Sequence, residues 1–402
     1  MRLHRNLCFT VIDSLNAIFN DEEYAGKVVE KALKRDKRWG ARDRKFVAET
    51  IYDIVRWKRL YNEIAGTKDH FTRDNLWKLF AVWAVLKGIE LPDWKYFEGT
   101  PVRRIKGKFD EAQSTRAIKE SIPDWMDEVG VKELGEAVWS RELTALNLKA
   151  EVILRVNTLK IDIATLQKFL RKEEIETEKV RDNPTALRLT ERKNVFLTDA
   201  FKRGYFEVQD ASSQLVAPFL QVQPGMRVVD TCAGAGGKTL HLASIMQNKG
   251  QIIAMDIYAG KLAQLKKRAK RAGVHNVDMR VIENTKVIKK LKDSADAVLI
   301  DAPCSGIGVL KRNPDSKWKL QPEFLDTIRA TQAEILSSYS RMVKKGGKLV
   351  YATCSILPSE NQDQVTSFLK SHPEFKFVED RKILPSKSGF DGFYMALLER
   401  EN

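Results

Sequence analysis

Two cysteines stand in settings that suit chemistry. Cys304 lies in Asp301-Ala302-Pro303-Cys304-Ser305-Gly306-Ile307-Gly308, and Cys354 in Thr353-Cys354-Ser355. Each stretch directly follows an apolar run that predicts a strand, Ala297–Ile300 and Lys348–Ala352 respectively. A lone cysteine is commonly a small buried hydrophobe. Two at strand ends, flanked by Ser, Gly and Pro, are candidates for thiolate chemistry. Spacing alone does not rank one thiol above the other.

A third motif is Asp230-Thr231-Cys232-Ala233-Gly234-Ala235-Gly236-Gly237-Lys238-Thr239. It follows the strand Arg227-Val228-Val229 and opens a helix. Glycines there let backbone approach a ligand, and a helix N-terminus presents free N–H groups. Gly237-Lys238-Thr239 resembles the end of a P-loop. That motif needs a glycine five positions before Gly237, and Cys232 stands there instead. A nucleoside cofactor fits better, either S-adenosylmethionine or a dinucleotide. Asp256 closes the next predicted strand, where an acidic side chain accepts hydrogen bonds from ribose hydroxyls.

These motifs must be held by regular elements. From Val216 onward, strands alternate with helices, the pattern of a parallel α/β sheet. Helices are predicted over Lys238–Met246, Lys261–Ala272 and Glu323–Val343. Another starts at Ser359, with Gln362 completing a capping box. Loops after neighbouring parallel strands converge at one sheet edge, so both cysteines and Asp301 are expected to face the glycine loop. Before this region, Glu151–Asn157, Ala186–Leu189 and Tyr205–Val208 predict strands, with a short helix over Ile163–Leu170. The first ~140 residues read as helical. Val11, Leu15 and Ile18 recur at helical spacing, as do Val47, Ile51 and Ile54, and Leu76, Phe80 and Trp83.

The expected organisation is therefore an all-α domain over 1–142, a small α+β subdomain over 146–212, and an α/β domain over 213–402 with a mostly parallel, doubly wound, Rossmann-like sheet. The 402-residue chain carries 69 basic against 54 acidic residues, a net charge of +15. That excess points to a polyanionic partner, nucleic acid before membrane. No apolar run reaches the ~20 residues of a membrane span. Asp13, Asn16 and Asp21 break up any signal-like stretch after Met1, so a cytoplasmic location is expected. The four cysteines contain no Cys-x-x-Cys pair, which argues against a disulfide framework and a zinc site. No metal is expected, and nothing points to an obligate oligomer.

Asp301–Gly308, continuing through Val309-Leu310-Lys311-Arg312-Asn313-Pro314-Asp315-Ser316-Lys317-Trp318, resembles the signature of the Sun/RsmB-type RNA cytosine-5 methyltransferases. Ala352-Thr353-Cys354-Ser355 is similar to that family's second cysteine motif. Gln209–Gln214 resembles its lead-in to the catalytic domain, and Leu154–Lys160 the start of its RRM-like subdomain. The helical N-terminus is similar to a NusB-like RNA-binding domain. One departure is Gly234-Ala235, where the family usually has Ala-Pro. Losing the fixed φ of proline leaves the loop less rigid and bears on cofactor affinity.

The resemblance implies methyl transfer from S-adenosylmethionine to carbon 5 of a cytosine. It makes Cys354 the nucleophile, which adds to carbon 6, and Cys304 the residue assisting product release. Asp301 would stabilise the adduct near N3 if it is protonated or shares a proton with the base. Cofactor contacts carry over to Cys232, Ala233, Gly234, Ala235, Gly236, Gly237 and Lys238, and to Asp256, Asn284 and Asp301. Arg312 and Lys317 become candidate RNA contacts. Ribosomal RNA is the expected substrate. Transfer RNA, or a non-catalytic RNA-binding assembly factor, are the alternatives.

Overall fold

The computed structural model describes residues 2–67 and 69–401. Met1, Lys68 and Asn402, and with them the outermost ends of the expected domains, lie outside the described residues. The chain forms two compact units.

The first unit comprises residues 1–148 together with 310–322. Its main helices are Arg5–Phe19, Ala25–Lys34, Ala41–Arg56, Lys58–Ala65 and Arg73–Leu86, followed by shorter ones up to Glu136–Leu146. The apolar stripes read from the sequence become the core. Val11, Leu15, Ile51, Ile54, Leu76 and Phe80 are fully buried. Trp77 stacks on Tyr96 with ring centroids 4.5 Å apart and meets Phe9 edge-on at 5.3 Å.

Residues 310–322 were expected within the α/β domain, yet they pack with these helices. The Trp318 indole N–H donates to the Val55 carbonyl at 2.7 Å. Asp315 accepts from the Ala25 N–H, the second residue-scale anchor of the segment.

The second unit, residues 149–309 and 323–402, holds two sheets. The small one is built from β1 (Ile153–Val156), β2 (Thr177–Lys179), β3 (Ala186–Leu189) and β4 (Phe206–Val208). Its order is β2-β3-β1-β4, and every pairing is antiparallel. The helix Ile163–Lys172 is capped by Asp162 and buries Leu166 and Leu170 against Leu154, Val156 and Phe206.

The large sheet contains β5 (Arg227–Asp230), β6 (Gln251–Asp256), β7 (Val277–Val281), β8 (Ala295–Asp301), β9 (Val343–Thr353), β10 (Phe375–Ile383) and β11 (Phe393–Arg400). Its order is β10-β11-β9-β8-β5-β6-β7. Strands β5 to β9 are mutually parallel, and the β10–β11 hairpin is added antiparallel at one edge. From β5 the chain winds first through β6 and β7, then returns to β8 on the other side. That reversal between β5 and β8 is where such sheets open a ligand crevice.

Two boundaries depart from expectation. The predicted helix to Val343 ends at Ser340, because β9 already begins at Val343 beside Ala295. The capping box at Ser359 does not form. Pro358–Glu360 is a 3-10 turn, and the α-helix starts at Gln362. The turn rotates Glu360 inward, where its carboxylate has other partners.

Candidate active site

The glycine loop closes β5 and leads into the helix Gly237–Ile245. Gly234 and Gly236 both take positive φ, at 55° and 87°. At Gly236 a Cβ would fall 2.0 Å from Leu265 Cδ1, so only glycine lets that leucine pack under the loop. Asp256, at the end of β6, accepts from the Gly234 and Tyr258 N–H groups, each at 2.8 Å. It thereby ties the loop to the neighbouring strand.

Two arginines brace the same loop. The buried Arg155, from β1, donates to the Gly237 carbonyl and to Gln209, and burial pushes its guanidinium down to about 10. Arg268 donates to the Ala235 carbonyl at 2.7 Å and is itself held by Glu207 on β4. Where the family usually has a proline, this chain pins Ala235 from outside.

A cleft of about 480 Å3 opens over these ends, within the range of small-molecule sites. Thr231 to Ala235, Gly237 and Lys238, Asp256 and Asp301 line it, joined by the exposed pair Ile257 and Tyr258. This set fits a nucleoside cofactor. Helix-start amides and a carboxylate at a strand end face an apolar ledge able to hold a flat ring.

At the end of β8, Asp301 Oδ2 accepts from Lys238 Nζ at 2.6 Å. Burial draws the Lys238 ammonium down, but the Asp301 charge outweighs it and the pKa is raised overall. Lys238 and Asp301 thus form a largely buried ion pair at the floor of the cleft. Beneath the loop, Asp230 is fully buried. It accepts from the Thr239 hydroxyl at 2.6 Å, yet burial raises its pKa to about 7.

The two predicted thiols meet. Cys304 Sγ and Cys354 Sγ are 3.1 Å apart. The hydrogen bond with Cys354, then burial, hold Cys304 well above the usual thiol range. The loops are joined by a residue that the motif reading did not single out. Glu360, fully buried, accepts from the Ser305 N–H at 2.8 Å, the Ser305 hydroxyl at 2.5 Å and the Ser355 hydroxyl at 2.6 Å. Gln332 adds a fourth donor at 3.2 Å. Ser305 and Ser355 each directly follow a cysteine, so one carboxylate fastens both cysteine loops. Gly308 packs against them as well. A Cβ there would sit 2.7 Å from the Cys354 carbonyl oxygen.

Two expected cofactor contacts and one expected RNA contact are placed elsewhere. Asn284 is exposed, and its Oδ1 caps the helix Thr285–Lys289 by accepting from the Lys286 N–H. Ile282, two residues earlier, lines the cleft in its place. Gly236 packs on Leu265 rather than lining the cleft. Lys317 is 1% exposed. Its ammonium donates to Asn147 Oδ1 at 2.6 Å and to the carbonyls of Arg56, Glu120 and Ser121. Burial, then the neighbouring Arg56 charge, pull its pKa well down, and its commitment to those acceptors makes it an anchor of the helical unit. Arg312 is half-buried in the same segment.

A Rossmann-like sheet with a cleft at its switch point, beside two thiols 3.1 Å apart, is the kind of site that methyltransferases use. The family model described as 16S rRNA methyltransferase RsmB/F matches residues 217–399. The ferredoxin-like domain model of the same family matches 122–196. The ribosomal RNA small subunit methyltransferase B of Pasteurella multocida is 36% identical over 76% of this chain and 72% of its own length. A protein of Synechocystis named probable ribosomal RNA small subunit methyltransferase B is 28% identical over 98% of this chain and 99% of its own. The crystal structure of PH0851 superposes with a TM-score of 0.84 at 26% identity and covers all of both chains. A methyltransferase homologue from Pyrococcus horikoshii gives 0.63 at 26% identity, over 71% of this chain and 97% of its own. This chain belongs to the RsmB/F family of 16S ribosomal RNA methyltransferases, and its cofactor is S-adenosylmethionine. Among the described residues, no helix is long and apolar enough to cross a membrane.

Proposed function

We propose that this chain methylates carbon 5 of a cytosine in ribosomal RNA, with Cys354 bonding transiently to carbon 6. The observation carrying this reading is the pair of thiols 3.1 Å apart, next to the Asp301–Lys238 ion pair. Carbon 5 of cytosine is a poor nucleophile. Addition of a thiolate to carbon 6 pushes electron density onto it.

The raised pKa of Cys304 supports Cys354 as that thiolate. At 3.1 Å, a protonated Cys304 can donate to a Cys354 thiolate and stabilise it. Asp301, entering this step in its acid form, passes its proton to N3 as the adduct forms, and Lys238 pairs with the carboxylate left behind; the proton returns to Asp301 when the adduct breaks down. S-adenosylmethionine, when bound, supplies an electrophilic methyl group. In the release step Cys304 passes its proton to the departing Cys354 sulfur and takes up the carbon 5 proton in exchange. Cys232 to Lys238 (Gly236 as packing residue), Asp256 and Asp301 hold the cofactor in this reading. Chain names among the relatives favour ribosomal over transfer RNA. A base inside a duplex must be flipped out, so an exposed nucleotide is the preferred target.

Covalent trapping tests the mechanism. Protein, S-adenosylmethionine and ribosomal RNA are mixed and run on a denaturing gel. Cys304→Ala should accumulate an RNA-linked band, and Cys354→Ala should show none. The reverse pattern swaps the two thiols. No adduct from any form, with no methyl transfer by the wild type, overturns the reading.

A further inference from the structure

A second cleft, of about 550 Å3, opens in the same unit as the cofactor cleft. The β2–β3 hairpin of the small sheet forms one wall. The end of β10 and the turn after it form the other. Lys179, Arg181, Arg188, Arg381 and Lys387 line it, against the single carboxylate of Asp182. Arg181 pairs with Asp182, and Arg188 with Glu151 and Glu178. Among the described residues, Lys179, Arg381 and Lys387 have no carboxylate partner. Three uncompensated cations converging on one groove repel each other unless an anion lies between them.

Sheet order places this groove. The cofactor cleft lies over the ends of β5, β6 and β8. The groove lies beside the ends of β10 and β11. Cys304 follows β8 and Cys354 follows β9, so in the order β10-β11-β9-β8-β5-β6-β7 the thiols fall between the two clefts. The connection is direct. The Gly392 N–H donates to the Gly308 carbonyl at 2.8 Å, and the Gly308 N–H to the Cys354 carbonyl at 3.0 Å. The turn bearing the groove residue Phe390 is thus fastened to the Cys354 loop. Phe390 packs on the Ile153, Ala186 and Ala211 cluster and, half-buried, forms an apolar patch in the groove wall.

We propose that this groove holds the sugar–phosphate backbone of the substrate RNA strand, so that the target cytosine reaches Cys354 from the side opposite the methyl donor. The inference rests on the RNA reading above. Phosphate contacts position a strand without reading its sequence, and each one releases counterions on binding.

The test is a double charge reversal, Lys179→Glu with Lys387→Glu. Both side chains are exposed, so the fold is expected to survive, as a thermal melt will show. The control is Lys266→Glu with Lys267→Glu, on the exposed face of the helix Ala259–Ala272, which makes the same change in net charge. The probe is a labelled single-stranded RNA containing cytosines, titrated at several salt concentrations. The groove variant should bind roughly tenfold more weakly. Its log Kd against log salt slope should fall by about 1.4, or ~0.7 for each lost single-strand phosphate contact. Its thermal shift with S-adenosylmethionine should match the wild type. Unchanged affinity and slope overturn the proposal, as does an equal loss in the control. A wild-type protein that binds no RNA at all removes the functional reading, and the groove with it.

Discussion

The sulfur atoms of Cys304 and Cys354 stand 3.1 Å apart, at the ends of two neighbouring parallel strands. A disulfide needs ~2.05 Å, so a small movement of either side chain would close one. Mild oxidation with diamide is therefore expected to abolish methyl transfer and leave S-adenosylmethionine binding intact. Dithiothreitol should restore activity. Cys304→Ala should bind S-adenosylmethionine equally before and after diamide, with no intramolecular bridge by mass spectrometry.

Glu360 is expected to matter out of proportion to its distance from either substrate. Its carboxylate accepts from three donors on the two cysteine loops and from Gln332. Glu360→Gln places an amide N–H₂ among those donors and leaves at least one unpaired. A buried unpaired polar group costs ~1–3 kcal/mol. Denaturant unfolding should show a loss of that size. Kinetics should show kcat falling while KM for S-adenosylmethionine holds, because the cofactor cleft does not include this residue.

Asp230 predicts a pH dependence. Its folded pKa is raised from 3.8 to about 7, so the folded state binds the proton more tightly than the unfolded chain. The resulting stability is full below about pH 4 and is lost as pH rises through about 7. At about 1.4 kcal/mol for each tenfold change in proton affinity, the swing is on the order of 4 kcal/mol. Asp230→Asn keeps an acceptor for Thr239 and removes the titration. Calorimetric melts should match the wild type near pH 4 and lie above it at pH 8.

Lys317 separates an anchor from an RNA contact. Lys317→Met strips a donor from the Arg56, Glu120 and Ser121 carbonyls and from Asn147. The melting temperature should drop, with a cost of ~2 kcal/mol or more. The salt slope of RNA binding should stay unchanged. A shallower slope with an unaltered melt would return Lys317 to the RNA surface.

The chemistry-bearing loops were legible because their signals are local. A strand-end glycine run, a Pro-Cys-Ser and a Thr-Cys-Ser each lie within ten residues, and parallel strands must deliver them to one edge. The apolar stripes of the first unit were equally plain, since helical periodicity encodes burial directly. The β10–β11 hairpin was not foreseen. The interior residues of β10 are exposed on both faces, so no period-two alternation marks the strand.

What the sequence alone determined is therefore the family, the parallel sheet and the residues at its carboxyl edge. Only the tertiary structure decided which polar groups meet. Glu360 lies 55 residues from Ser305, and Lys317 lies 170 from Asn147. A buried charge is tolerable only where several partners converge. Such convergence joins distant segments, so no window of sequence contains it. The same rule took Lys317 from the surface into the helical unit. It also set Arg268 against the Ala235 carbonyl, bracing the loop where the usual proline is absent.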